Sequence, residues 1–331
     1  MINNVLLYNS GGGIGDSLQI LPLINTLKSK FSNTKFFYLS AHENHFNSSL
    51  KDFNSQIDTL DLNMKYFGFR WWHALVVKRK IKNKSIYLFD LIIDLQSKIR
   101  NSLILKLIPH KLFISSCLNF HLSNPNLKIL KEKKNYNTVL KAINTIYEKN
   151  YKIEEFNINK IDKKFFNESE KLLPKNNYVG FSITQGNIYR KKQWSLDNII
   201  KICNKFIEYK KTPVFFIEKK NKELKNKIEK LVPSALFPEH ETNISSPALV
   251  TCLGKRLDFA ITIDNGVMHM LSLSKVPMIS LFGPTDPDKF APEYKNSIVL
   301  DSKKLYNTKN VSAITVEDVL TAAKQHLNFS Y

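Results

Sequence analysis

Short runs rich in valine, isoleucine, leucine and phenylalanine recur along this chain in two series, each run followed by a stretch whose apolar residues have helical spacing. A continuous apolar run of about four to eight residues bounded by turn signals reads as a strand covered on both faces. A helical stretch between two such runs is the crossover that parallel pairing requires. The pattern predicts βα units around parallel sheets. In the first series the expected strands are residues 5–8, 35–39, 57–60, 91–95 and 112–115. The second restarts at 178–182 and continues at 213–217, 259–263 and 278–282.

Between the series lie a Lys- and Asn-rich helical stretch around 136–149 and then the polar segment YKIEEFNINKIDKKFFNESEKLLPKNN, which has no strong strand and reads as a linker. A chain of 331 residues exceeds the usual single-domain length of about 100–200. The expected organisation is an N-terminal Rossmann-like domain over 1–155, a linker over 156–177 and a C-terminal Rossmann-like domain over 178–331. Two doubly wound halves facing each other across a cleft would bind ligands at the carboxyl ends of their strands. Local signals agree with this reading. Ile199, Ile200, Cys203 and Ile207 share a face of a helix expected over 196–210, another helix is expected around 223–231, and Ser246-Pro247 opens a further one with an N-cap serine and an N1 proline.

Lys and Arg exceed Asp and Glu by 49 − 29 = 20. Such a surplus creates a positive field that attracts phosphates, anionic lipid or nucleic acid, although Lys, Asn and Ile are abundant throughout and much of the charge could be solvated surface. The three cysteines, Cys117, Cys203 and Cys252, follow no metal or disulfide spacing and read as buried bystanders in a reducing compartment. The N-terminus has no charged n-region, and no later segment approaches the roughly 20 apolar residues of a membrane span. The expectation is a cytosolic protein whose membrane contact, if it has any, is at its surface.

Three loops carry chemistry. NSGGGIGDSLQILPL places Gly11, Gly12, Gly13 and Gly15 between a strand and a helix and then adds Asp16. A dinucleotide fingerprint needs glycine at Asp16 or Leu18, and a phosphate-binding P-loop needs Gly-Lys-Ser/Thr, so both fail. A carboxylate would repel a diphosphate there. It could instead hold a base in ionised form at the helix N-terminus, or simply complement the helix dipole. GFSITQGNIYRKKQWSL brings Arg190, Lys191 and Lys192 into a strand-to-helix loop, suited to neutralising a phosphate leaving group or to being a solvated turn. FAITIDNGVMHMLSLSKVPMISLFGPTDP runs a strand into Asp264-Asn265-Gly266, carries His269 one turn into the next helix, and ends a second strand in Gly283-Pro284-Thr285-Asp286. Helix-terminal amides near Gly266 offer donors to an anion, with His269 in reach of the same place.

In this order the motifs resemble those of glycosyltransferase family 9, the heptosyltransferases of lipopolysaccharide core synthesis: Gly-Gly-x-Gly-Asp, FDLIIDLQSKIRNSL, Lys192-x-Trp194, D-x-G-x-x-H over 264–269, and LFGPTDP. The resemblance spans nearly the whole chain. It implies the GT-B fold, with two Rossmann-like domains, and an inverting, metal-independent transferase that needs no cofactor. Its partners would be a nucleotide-diphosphate sugar, ADP-heptose being the expected donor, and a glycolipid acceptor bound by the N-terminal half.

The resemblance makes Asp16 the general base, with Gly12, Gly13 and Gly15 as the acceptor-side loop. It makes Lys192 the cation on the diphosphate, Asp264, Asn265 and Gly266 contacts to donor sugar and phosphates, and His269 a diphosphate ligand. The nucleotide-side glutamate falls on Glu223, with Glu218 as the alternative, because the usual glycine-rich turn reads IEKKNKEL here. SITQGN likewise replaces the Pro-Gly-Ala of many members. A nucleotide-sugar epimerase on the same fold is the alternative enzyme. A basic nucleic-acid-binding protein finds no recognition helix, zinc or RNA-binding signature in its favour, so no nucleic-acid partner is expected. HENH at 42–45 is not H-E-x-x-H, which removes a zinc protease. The stretch over 64–84, MKYFGFRWWHALVVKRKIKNK, mixes aromatics with cations and could rest peripherally on an anionic inner membrane, or be an ordinary partly buried helix.

Overall fold

The computed structural model describes residues 2–84, 88–186 and 188–326. It divides into two compact units, Met1–Phe156 and Asn157–Tyr331. The first unit contains strands β1 (Asn4–Asn9), β2 (Lys35–Ser40), β3 (Asp58–Thr59), β4 (Phe89–Asp94) and β5 (His110–Ser115), with helices α1 (Ile14–Lys30), α2 (His73–Lys82), α3 (Ile99–Leu105) and α4 (Asn135–Tyr147). All its strand pairs are parallel, in the order β3-β2-β1-β4-β5. The chain winds outward from β1 through β2 to β3, then crosses back to β4 on the other side. That reversal puts the topological switch point between β1 and β4, where an open α/β sheet leaves a crevice beyond its carboxyl ends.

The second unit begins with α5 (Lys163–Leu172), inside the segment read from sequence as a linker, and α5 packs against α8 (Pro247–Leu253) of the same unit. Its strands are β6 (Tyr178–Ser182), β7 (Thr212–Phe215), β8 (Phe259–Ile263), β9 (Met278–Phe282) and β10 (Ser297–Asp301). They also pair in parallel throughout, in the order β10-β9-β8-β6-β7, so this unit switches between β6 and β8. Every residue of β6, β8 and β9 is buried, as strands covered on both faces must be. The remaining helices are α6 (Leu196–Glu208), α7 (Lys222–Leu231), α9 (Gly266–Leu273), α10 (Pro287–Phe290), α11 (Ser302–Tyr306) and α12 (Val316–His326).

The starts of helices follow their sequence signals. Ser195 caps α6 by accepting from Asn198 N–H, and Ser246 caps α8 by accepting from Leu249 N–H ahead of Pro247. The buried face of α6 differs from the expected one. It is Ile199, Ile202, Cys203 and Phe206, an i, i+3, i+4, i+7 stripe, while Ile207 is partly exposed at its edge. Strand β10 has no counterpart among the expected strands. It lies at the sheet edge with only Asp301 fully buried, so its apolar signal is weak. The three cysteines are buried and unpaired. Among the described residues, no helix is long and apolar enough to cross a membrane.

Candidate active site

The loop leaving β1 reaches α1 through Gly11–Gly13, with Gly13 as N-cap and Asp16 as the third helical residue. Asp16 is half-buried. Its Oδ2 accepts from Gly13 N–H at 3.2 Å, which fills one of the amide positions left open at a helix start. Its Oδ1 accepts no hydrogen bond among the described residues. The dipole-complementing role and an available carboxylate oxygen therefore coexist in one side chain. Glycine is needed beneath it: a Cβ at residue 11 would lie 2.6 Å from the Cβ and Cγ of Asp16. At residue 12 a Cβ would meet the His42 ring at 2.5 Å, and the Gly12 carbonyl lies 3.3 Å from His45 Nε2. Gly15 is the second residue of α1, immediately before Asp16.

Across the switch point, β4 delivers DLQS. The Asp94 carboxylate is buried and accepts from the backbone N–H groups of Gln96 and Ser97 and from the hydroxyls of Ser102 and Ser115. Burial pushes its pKa up, opposed by those four donors. Gln96 in turn donates through Nε2 to Asn9 Oδ1 at 2.6 Å, and Asn9 Oδ1 also accepts from Gly11 N–H. The β4 turn thus holds the glycine loop. Asp94, Gln96 and Asn9 carried no assigned role in the sequence reading, although the first two lie within FDLIIDLQSKIRNSL.

In the second unit, four of the expected donor-side residues converge at the β6/β8 switch point. Lys192 Nζ lies 2.5 Å from Asp264 Oδ2 and 3.2 Å from the Asp264 carbonyl oxygen, and both side chains are largely buried. Asn265 is the N-cap of α9: its Oδ1 accepts from Met268 N–H, and its Nδ2 donates to Ser182 Oγ and to the Thr184 carbonyl. One side chain therefore starts the helix after β8 and ties it to the loop after β6. Gly266 is the first residue of α9, with His269 buried in its first turn.

The Lys-x-Trp spacing has a local cause. Trp194 is buried and its indole N–H bonds Ile314 O at 2.8 Å, anchoring the loop, while Gln185 Oε1 accepts from Lys192 N–H and sets the position of the lysine. Gly283, after β9, leaves room for a backbone: a Cβ there would lie 2.5 Å from Lys309 O.

Glu223 stands apart. It is exposed in the first turn of α7, one strand along the sheet, and among the described residues it is bonded to none of the other candidates. The alternative, Glu218, pairs with Lys220 at the surface. A carboxylate missed by sequence reading lies beyond both. Glu239 is buried, and burial, reinforced by the charge of Glu218, raises its pKa to about 7. Nothing in the local sequence signals that burial.

The family model for glycosyltransferase family 9 (heptosyltransferase) matches residues 75–320. The chain belongs to glycosyltransferase family 9. This family 9 glycosyltransferase is similar over its whole length to solved structures. A glycosyltransferase family 9 protein from Veillonella parvula DSM 2008 gives a TM-score of 0.70 at 19% identity, covering 99% of this chain and 98% of that one. Heptosyltransferase WaaC of E. coli, solved with ADP, gives 0.67 at 14% identity, with 98% of each chain covered. The ADP-heptose lipopolysaccharide heptosyltransferase II of E. coli gives 0.65 at 15%, again covering 98% of each. No curated protein sequence matches. The two five-stranded parallel sheets with their flanking helices are those of the GT-B fold.

Proposed function

We propose that this glycosyltransferase moves a heptose from ADP-heptose to a hydroxyl of a membrane-held lipopolysaccharide core or related glycolipid, with inversion at the anomeric carbon and without a metal ion. The observation that carries the reading is the convergence of Lys192, Asp264, Asn265 and the α9 N-terminus at one switch point, while at the other unit's switch point the glycine loop presents the half-buried carboxylate of Asp16, the Asp94 carboxylate beside it being buried and taken up by four donors. The two units divide the work.

In this mechanism Asp16 Oδ1 accepts the proton of the acceptor hydroxyl as its oxygen bonds to the anomeric carbon. The bond from that carbon to the diphosphate breaks, and the electron pair leaves on the diphosphate oxygen. Lys192, the backbone amides that open α9, and His269 meet the charge as it develops. Asp264 holds the lysine ammonium in place before the donor arrives, so stabilisation of the leaving group requires no reorganisation at the moment of transfer. The positive surplus suits a phosphorylated acceptor on an anionic membrane. In this reading the nucleotide-diphosphate leaving group drives the transfer and no cofactor takes part.

The test incubates the full chain with ADP-heptose and a heptose-deficient core glycolipid, with and without EDTA, and reads the anomeric configuration of the product by NMR. Transfer with inversion that persists in EDTA is expected. Retention, or loss of activity on chelation, would overturn the mechanism. Conversion of the sugar with no acceptor present would assign the chain to epimerisation instead. A thermal-shift panel of nucleotide diphosphate sugars reads donor identity directly, since the bound form gains stability by mass action.

A further inference from the structure

The helix α2 has two unlike faces. His73, Val77 and Ile81 are buried, with Val77 and Ile81 in the core of the first unit and His73 Nδ1 accepting from Gly68 N–H at 3.0 Å. The opposite face, together with the two residues that lead into it, is open. Trp71 is 60% exposed, Trp72 51% and Leu75 84%. Single exposed apolar residues are ordinary, but two tryptophans and a leucine clustered together need a reason. Exposed Arg70, Lys78, Arg79 and Lys82 flank them, and residues 64–84 contain seven Lys or Arg and no Asp or Glu. Aromatic rings surrounded by cations, on a helix pinned by its other face, match the interface of an anionic bilayer: indoles sit at headgroup level and cations meet lipid phosphates.

The patch is also linked to the Asp16 loop within the same unit. Tyr8, in β1, donates its hydroxyl to the Phe67 carbonyl, and Arg100 Nε donates to the Gly68 carbonyl. Tyr66 and Phe69 both pack edge-on against the His42 ring, which is the ring that lies over Gly12. The segment that ends in Trp71 and Trp72 therefore begins beside the glycine loop.

We infer that Trp71, Trp72 and Leu75, with their flanking cations, dock this protein on an anionic lipid surface and so bring the Asp16 loop to the plane in which a lipid-held hydroxyl is presented. The docking itself stands on the chemistry of this surface. Only its consequence for the acceptor rests on the proposed transfer.

The chain carries its own reporter. Of its three tryptophans, Trp194 is buried, so a change in emission on adding vesicles comes from Trp71 and Trp72. The full chain is mixed with phosphatidylcholine vesicles with or without phosphatidylglycerol, and both co-sedimentation and tryptophan emission are read. Binding and a blue shift are expected with phosphatidylglycerol vesicles, with quenching by brominated lipid and weakening as salt is raised. W71S/W72S/L75S should weaken partitioning by at least about tenfold, and K78E/R79E/K82E by a similar factor.

All six substituted positions have exposed side chains, so unchanged melting temperatures are expected. ADP-heptose should still raise the melting temperature of both variants, which separates failure of docking from failure of the donor reading. Absence of binding to phosphatidylglycerol vesicles at low salt would overturn the inference. So would wild-type binding by either variant, or binding of the unaltered chain with no quenching by brominated lipid.

Discussion

Gly11→Ala displaces the proposed proton acceptor, Asp16, while leaving the chemistry of its carboxyl group unaltered. The added Cβ would sit 2.6 Å from Asp16 Cβ and Cγ and 2.9 Å from Oδ2. Carbon atoms in contact normally lie about 3.5–4.0 Å apart, so roughly 1 Å of space must open. Rotating the Asp16 side chain cannot supply it, because Cβ is fixed by the first turn of α1. The loop or the helix start has to shift. Displacement of a reacting group by about 1 Å costs on the order of a hundredfold in rate, and overpacking of this kind costs about 1–3 kcal/mol in stability. The assay is the initial rate of sugar transfer at saturating donor and acceptor, with donor affinity measured by calorimetry on the same preparation. We expect kcat to fall about a hundredfold while donor affinity, which the proposed mechanism assigns to the other unit, holds. Gly12→Ala is the comparison. Its Cβ meets the His42 ring and not Asp16, so the shift it forces falls first on His42 and its effect on kcat should be smaller. G11A turning over at the wild-type rate would refute the argument that Asp16 acts from the position seen here.

Two further perturbations address the second unit. Lys192→Met strips Asp264 of its cation in a largely buried setting and should destabilise the protein by about 3–5 kcal/mol in urea denaturation, while also weakening ADP binding; unchanged ADP affinity would remove Lys192 from the donor site. Glu239 makes stability depend on pH. Its pKa is raised in the folded protein from 4.5 to about 7, so its contribution is complete below the unfolded value and is lost as pH rises through about 7, by about 3 kcal/mol in all. Glu239→Gln should therefore be more stable than the parent at about pH 8 and lose that advantage by about pH 5, as read from urea midpoints; identical pH profiles for the two would contradict the burial argument.

Much of the architecture was legible because buried parallel strands have to be continuously apolar. The run Leu91–Ile93 within β4 and the β8 sequence FAITI show it. Helix starts at Ser195 and Ser246 were legible because caps are local chemistry. Strand β10 was not, since an edge strand with one half-covered face carries little apolar excess. The segment around α5 read as a linker because its helix is mostly polar and buries only Phe165 and Ser169.

The expectation that Lys192 and the Asp264–His269 loop act together came from the family resemblance, carried by D-x-G-x-x-H after one strand and Lys-x-Trp after another. What spacing could not express is the pairing of residues far apart in the chain, as in Lys192 with Asp264, 72 positions on, and Asn265 with Thr184, 81 positions back. Glu239 and the Asp94–Gln96–Asn9 chain belong to the same class, because their significance lies in burial and in partners brought together by the fold.

Asp16→Asn keeps the shape of the side chain and removes its capacity to accept a proton. Measured side by side, its transfer rate and its affinity for ADP-heptose test the division of labour between the two units. Transfer should fall by about a hundredfold to ten-thousandfold with donor affinity unchanged. A variant that transfers sugar at the parent rate, or one that loses donor binding along with activity, would contradict the account.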